Sequence, residues 1–261
     1  MNNINVDYHI HSMFSGDCTT SLDDIALSSI EKGLKSICIT DHLDYDYEEN
    51  GIKFELDKDI YFCELTQLKN KYSDKIDIRI GIETGLEPDK ATRLNDFINR
   101  HNYDFVIGSS HLVNGYDPYY PEFFSNKTDN NAFNEYFESI LNNIKSCTNF
   151  DVYGHLDYVV RYSPNKDLNY IPSDYFEVID EILNKLIINE KGIEIKTSGY
   201  RSGLSNPNPS IEIIKRYYEL GGRIITIGSD AHFKEHIAYK FNEITEIVKA
   251  CGFKYFTEFR N

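Results

Sequence analysis

The sequence predicts an α/β fold of seven successive βα units. Three observations predict it: short β-branched runs recur, a stretch of helical length follows each, and no linker or shift in composition divides the 261 residues. Parallel strands in sequence need right-handed helical crossovers, so seven of them form either a long open sheet or a closed barrel. Strand periodicity leaves both open. Read against a typical domain of ~150 residues, the length allows one large domain or two small ones, and α/β barrels often reach it as a single unit. Residues 1–261 are therefore expected to form one domain.

The strands are expected at 4–10, 36–40, 76–83, 105–109, 152–155, 192–197 and 223–228, where Ile, Val, Phe and Tyr cluster. The helix over 22–32 opens at Ser21 with Asp24 three residues on, an N-cap pattern. Segments 59–71, 90–100 and 132–147 alternate apolar and charged positions at helical spacing, and 175–189, 211–220 and 237–251 complete the set. Gly33, Gly192, Gly221 and Gly252 stand where helices should end. Loops 116–131 and 162–173 are the longest interruptions, and the aromatic stretch Asp117-Pro-Tyr-Tyr-Pro-Glu-Phe-Phe124 suits a lid or pocket wall.

Hydrophobic residues at 41% and charged residues at 26% are ordinary globular values. With 27 Lys+Arg against 42 Asp+Glu the net charge is −15, which argues against a nucleic-acid partner bound by a basic face. No apolar run approaches the ~18 residues of a membrane span, and the first seven residues lack a basic, then apolar, leader. The five cysteines, Cys18, Cys38, Cys63, Cys147 and Cys251, are odd in number with no CxxC, so free thiols in a reducing cytoplasm are expected.

Six of the eight histidines fall at or just beyond the C-terminal ends of expected strands: His9 and His11, His42, His111, His155 and His232. Asp17, Glu83 and Asp230 join them in the same places. At the C-terminal rim of an α/β barrel, side chains from separate strands converge, so one site is predicted. His9 and His11, two apart on a strand, share a face and can ligate one ion. Imidazole mixed with carboxylate suits Zn, Fe or Mn rather than Ca or Mg. Nine candidate ligands exceed what one tetrahedral ion uses, so two or three divalent metals with a bridging carboxylate are implied.

Each residue also has an ordinary reading. A lone histidine is more often hydrogen-bonded than metal-bound, and His101 and His236, on helix-like segments away from the rim, are read that way. Asp17 could be a turn residue, Glu83 a capping acceptor, and Asp41 a group that orients a neighbouring histidine from behind. Coincidence across six strand ends favours the metal site.

Asp7-Tyr-His-Ile-His-Ser12, Thr40-Asp-His42, Gly81-Ile-Glu83, Gly108-Ser-Ser-His111, Gly154-His-Leu-Asp157 and Gly228-Ser-Asp-Ala-His232 resemble, in order, the motifs of the PHP (polymerase and histidinol phosphatase) superfamily. Two further stretches, 154–162 and 194–201, resemble its monofunctional histidinol-phosphate phosphatase branch, with Lys196 where that branch's pattern implies Asn. The resemblance implies a distorted (β/α)7 TIM-like barrel with a trinuclear metal centre at the C-terminal ends of the strands. It also implies hydrolysis of a small phosphate monoester, L-histidinol phosphate, in histidine biosynthesis by a metal-activated hydroxide. One metal would take His9, His11, Glu83 and Asp230, a second Glu83, His111 and His155, and a third Asp17, His42 and His232. Glu83 would be the bridge. Asp230 and His232, or a metal-bound water, are the candidates to protonate the leaving alkoxide.

Arg161 and Arg201 follow the fifth and sixth strands and are expected to bind phosphate, with a surface salt bridge as the alternative. Arg223 begins its strand at the opposite end and is read as structural. Asp44, Asp46, Glu122 or Asp157 could meet the substrate amine, and Tyr116, Tyr119 or Tyr120 could pack on its ring. Two rivals are a different PHP phosphoesterase (phosphodiesterase, exonuclease or phosphotyrosine phosphatase) and a metal-stabilised binding protein without turnover. The sequence leaves the oligomeric state open.

Overall fold

The β-branched runs become strands buried on both faces, as happens when helices cover one side of a parallel sheet and the other side turns inward. In the computed structural model, which describes residues 4–259, these are β1 (Val6–Ile10), β2 (Ser36–Ile39), β3 (Asp77–Gly85), β4 (Phe105–Ser109), β5 (Val152–Tyr153), β6 (Gly192–Lys196) and β7 (Ile225–Gly228). They lie side by side in chain order, every neighbouring pair parallel. The short segment His42–Leu43 pairs with Glu83 and Thr84 and so extends the β2 side of β3 toward the rim.

The sheet closes into a barrel at its C-terminal end. Ile10 bridges Ala231 in parallel, the His11 N–H donates to the Ala231 carbonyl at 3.0 Å, and the Asp230 N–H donates to the His9 carbonyl at 2.8 Å. The other end is stoppered by the chain's last described residues. Phe256 and Phe259 pack on the cluster of Val6, Tyr8, Phe105 and Ile107, and the Thr257 N–H donates to the Ile225 carbonyl at 2.8 Å.

Seven helices cover the outside among the described residues: α1 (Leu22–Glu31), α2 (Lys58–Lys71), α3 (Ala91–Ile98), α4 (Asp129–Ser146), α5 (Phe176–Ile188), α6 (Ile211–Glu219) and α7 (Phe241–Ala250). A single helical turn, Ser198–Arg201, follows β6. Ser21 caps α1 by accepting the Asp24 N–H at 3.1 Å, as its sequence pattern predicts. Gly33 takes the left-handed conformation after α1, at φ 76°.

Three local expectations are corrected. Helix α4 starts ahead of the apolar pattern, because Thr128 accepts the Asn131 N–H and the polar first turn needs no buried face. Helix α7 starts only at Phe241, because Ala238 and Lys240 are left-handed (both φ 55°) and the Ala238 N–H donates to Asp7 instead of to a helical carbonyl. Gly192 is not a helix cap; Glu190 takes the left-handed position (φ 56°), and Gly192 opens β6 where a Cβ would stand 2.6 Å from the Ile224 carbonyl oxygen.

An antiparallel hairpin, Glu48–Glu49 with Ile52–Lys53, rises between β2 and α2. Its turn residues Asn50 and Gly51 both have positive φ (51° and 82°), the geometry that an Asn-Gly dipeptide favours. Among the described residues no helix is long and apolar enough to cross a membrane.

Candidate metal centre

The end of β1 carries His9 and His11, both fully buried, with their Nε2 atoms 2.9 Å apart. Beside them the end of β3 presents Glu83, which is 1% exposed. Its two oxygens serve different histidines. Oε2 lies 3.1 Å from His9 Nε2, 3.5 Å from His11 Nε2 and 3.3 Å from His42 Nδ1. Oε1 lies 2.9 Å from His155 Nε2 and 3.3 Å from His111 Nε2, and accepts the Ser109 hydroxyl at 2.7 Å.

Asp230, beyond β7, places Oδ1 3.3 Å from His11 Nε2 and 3.7 Å from His9 Nε2. Asp17, in the loop after β1, holds Oδ2 3.0 Å from His232 Nε2 and 3.8 Å from His42 Nε2. All nine ligands expected from the sequence thus converge at one end of the barrel. Two stand on strained backbone: His155 at φ 24° and Asp230 at φ 52°, values that side chains other than Gly seldom adopt.

These residues fit divalent cations. Three groups, His9 with His11 and Glu83, His42 with Glu83 and His111, and His11 with His42 and His232, each bring their ligand atoms within 4.8 Å of one another. Two imidazole Nε2 atoms at 2.9 Å share at most one proton, and the buried Nδ1 of His42 finds no hydrogen-bond partner among the described residues. So many lone pairs facing inward cannot satisfy one another by hydrogen bonding alone.

A second layer aims the imidazoles. Glu194, fully buried on β6, bonds His9 Nδ1 with one oxygen and accepts the His155 N–H with the other at 3.1 Å. Ser15 meets His11 Nδ1 at 2.9 Å and donates to Asp41 at 2.7 Å, so Asp41 does act from behind. Asp44 bonds His111 Nδ1 at 2.7 Å. Each partner ties up Nδ1 and turns Nε2 inward, which fixes the tautomer that a ligand needs. Gly228 makes room, since a Cβ there would lie 2.3 Å from His9 Cβ.

Electrostatics follow from burial against local charge. Burial opposes ionisation of Glu83, but His9, His111 and His42 outweigh it and hold the carboxyl well below its usual value. Burial pushes His155 down to about 4, with the Lys196 charge adding to it, so the ring stays neutral. His11 is likewise lowered by burial and by its neighbours His232 and His42.

Seven of the nine candidate ligands, all but the fully buried His9 and His11, line a cavity of about 590 Å³, which Arg161, Lys196 and Arg201 also line. Lys196, only 2% exposed, sets Nζ 3.0 Å from Asp230 Oδ2, and Arg161 Nη1 lies 3.6 Å from the same atom. Arg201 donates to the Ser229 and Asp230 carbonyls at 3.0 and 2.9 Å, leaving further N–H groups for the cavity. Arg223 stays at the far end, donating to the Tyr218 and Gly222 carbonyls.

Sequence reasoning missed Glu194 and Lys196 as site residues. The available signal was two charged residues inside the apolar strand Gly192–Lys196, which burial makes costly unless each has a partner. His236 is corrected too: it borders the cavity, whereas His101 sits away from it, stacked on Phe62 and 3.0 Å from Asp59. Of the carboxylates suggested for an amine, Asp44 is committed to His111, Asp46 to Arg93 at 3.2 Å, and Asp157 to Asn208 and the Ser210 N–H. Glu122 and Tyr116 do not line the cavity; Tyr119 does.

A family model described as "PHP domain" matches residues 7–198. A histidinol-phosphatase from Lactococcus lactis is 32% identical over 249 residues, 95% of this chain and 91% of the relative. A "Probable histidinol-phosphatase" from Clostridium acetobutylicum is 33% identical over 249 residues, 95% of this chain and 94% of the relative. The crystal structure of the Lactococcus lactis histidinol phosphate phosphatase, complexed with Zn, L-histidinol and phosphate, superposes with a TM-score of 0.90, covering 98% of this chain and 97% of that one.

Proposed function

This chain belongs to the PHP domain family, and on that premise we propose that it is a metal-dependent phosphatase that hydrolyses L-histidinol phosphate to L-histidinol and phosphate. One observation carries the reading: Glu83 divides its two oxygens between two sets of buried imidazoles, directly beneath a cavity lined by three cations. The Lactococcus lactis relative, 32% identical, was crystallised with Zn and with both products of that reaction.

His9, His11, Glu83 and Asp230 would hold one divalent ion, Glu83, His111 and His155 a second, and Asp17, His42 and His232 a third, drawn from Zn, Fe or Mn. Bound there, such ions supply Lewis acidity that activates water as a nucleophile and neutralises phosphoryl oxygens. Arg161 and Arg201 present guanidinium N–H groups to the phosphate, and Lys196 adds a point charge beside them. Asp230 and His232 border the cavity where the leaving alkoxide must gain a proton, and His232 is the more open, at 21% side-chain exposure against 9%. On this reading the chain would work in the cytoplasm, in histidine biosynthesis.

The test is phosphate release from L-histidinol phosphate, p-nitrophenyl phosphate and a dinucleotide, on protein whose metals are counted by plasma mass spectrometry. A kcat/KM for L-histidinol phosphate at least 100-fold above the others, with two to three metals per chain, is the expected result. Equal rates on all esters would remove the named substrate. Metal-loaded protein without turnover would remove the enzyme. Arg161→Ala should raise KM and lower kcat at unchanged metal content; unaltered kinetics would take Arg161 out of the phosphate site.

A further inference from the structure

Lys196 is the one buried lysine among the described residues, at 2% exposure. It ends β6, and its backbone is held there from the loop beyond: the Lys196 N–H donates to the Asn208 carbonyl at 2.7 Å, and the Asn208 N–H donates back at 2.9 Å. The side chain runs to the cavity, where Nζ stands 5.4 Å from the centre of the Tyr158 ring and 3.0 Å from Asp230 Oδ2. Burying an ammonium costs its hydration, and a single carboxylate oxygen recovers only part of that.

Asp230 does not balance the cations around it. Its Oδ2 meets Lys196 at 3.0 Å, Arg161 at 3.6 Å and the Ser198 hydroxyl at 3.0 Å, while Oδ1 faces His9 and His11. Two cations thus converge on one oxygen of one anion. Arg201, the third cation on this side of the cavity, is bonded to the Ser229 and Asp230 carbonyls, which carry no full charge. Three cations against one carboxylate leave two positive charges over, before any bound ion is counted. That surplus matches a phosphate monoester dianion, which has three terminal oxygens and, above a second pKa of about 6, two negative charges.

On the phosphatase reading above, we infer that the Lys196 ammonium is the group that selects phosphate monoesters over diesters. A diester has two terminal oxygens and one charge. Coulomb energy scales with the product of the charges, so a cation that strengthens binding of a monoanion about tenfold strengthens that of a dianion about a hundredfold. Oxygen count acts in the same direction. Arg161, Lys196 and Arg201 can each meet one terminal oxygen of a monoester, whereas a diester sets its second ester group against one of them, which then loses water without gaining a partner. Lys196 stands where the resembled pattern implies Asn, so the extra charge is this chain's own.

The experiment compares p-nitrophenyl phosphate with bis(p-nitrophenyl) phosphate, a pair that shares its leaving group, at about pH 8, where the monoester is a dianion. Initial rates are read in wild type, Lys196→Met and Lys196→Asn, each loaded to the same metal count by plasma mass spectrometry. The monoester-to-diester ratio of kcat/KM is expected to fall at least fivefold in both variants. A smaller fall in either overturns the inference and leaves Lys196 a partner of Asp230 alone; should one variant not fold, the other decides. Calorimetry gives a second readout, since the affinity ratio of inorganic phosphate to dimethyl phosphate should fall by the same factor. Failure of the phosphatase reading looks different: wild type then hydrolyses neither ester. In that event the calorimetric ratio decides, and a ratio unmoved by the substitutions is again the overturning result.

Discussion

Glu83 concentrates the chemistry in one side chain. Its carboxylate faces five imidazoles, so replacing one oxygen with an amide would remove an acceptor from one of the proposed metals and put N–H donors toward imidazole nitrogens. Glu83→Gln is expected to lower kcat at least 100-fold and to remove at least one metal per chain, both read on the same sample. Glu194 acts at one remove. Its loss frees His9 Nδ1, and Glu194→Ala should weaken metal binding by roughly 10- to 100-fold in chelator competition while the cavity residues stay in place. The two residues also differ in how legible they were. Glu83 ends the strand expected at 76–83, among histidines that are rare in this chain, 8 in 261, so position alone exposed it. Glu194 lies mid-strand between Ile193 and Ile195, and its partner His9 is 185 residues away, a separation that no local pattern reports.

Element order was legible because each helix and strand carries its own periodicity, and the structure moves most boundaries by only one to three residues. What periodicity cannot see is a boundary set by contact with another element. Gly192 was read as a helix stop, but the close approach of the Ile224 carbonyl decides its identity. Gly192→Ala should therefore destabilise the fold by about 1–3 kcal/mol through overpacking, measured by urea denaturation; a neutral result would mean that β6 and β7 can separate locally. Ser21→Ala removes an exposed cap and should cost about 1 kcal/mol. The hairpin at Glu48–Glu49 and Ile52–Lys53 did have a local signal in Asn50-Gly51, but strands of two residues lie below the length at which alternation can be read.

Whether the seven strands formed an open sheet or a barrel could not be decided from periodicity, because closure rests on a few backbone bonds between Ile10, His11 and residues 230–231. Those bonds lie among the residues proposed to hold the metals, so bound ions would brace the seam. Chelation should lower the Tm and restoring the metal should reverse it; free metal at 100 times its Kd contributes about 2.7 kcal/mol. A Tm unmoved by chelation, on protein shown to have lost its metal, would mean that the seam needs no ion. Joining the first strand to the last also sets a timetable for biosynthesis. His9 and His11 leave the ribosome early, yet His232 follows only after 221 more residues, on the order of 10–40 s at ordinary translation rates. During that interval the pair can grip a cation only loosely. If these residues hold the metal, its identity would be decided only once the residues around His232 have joined His9 and His11, by the cation supply where the barrel closes.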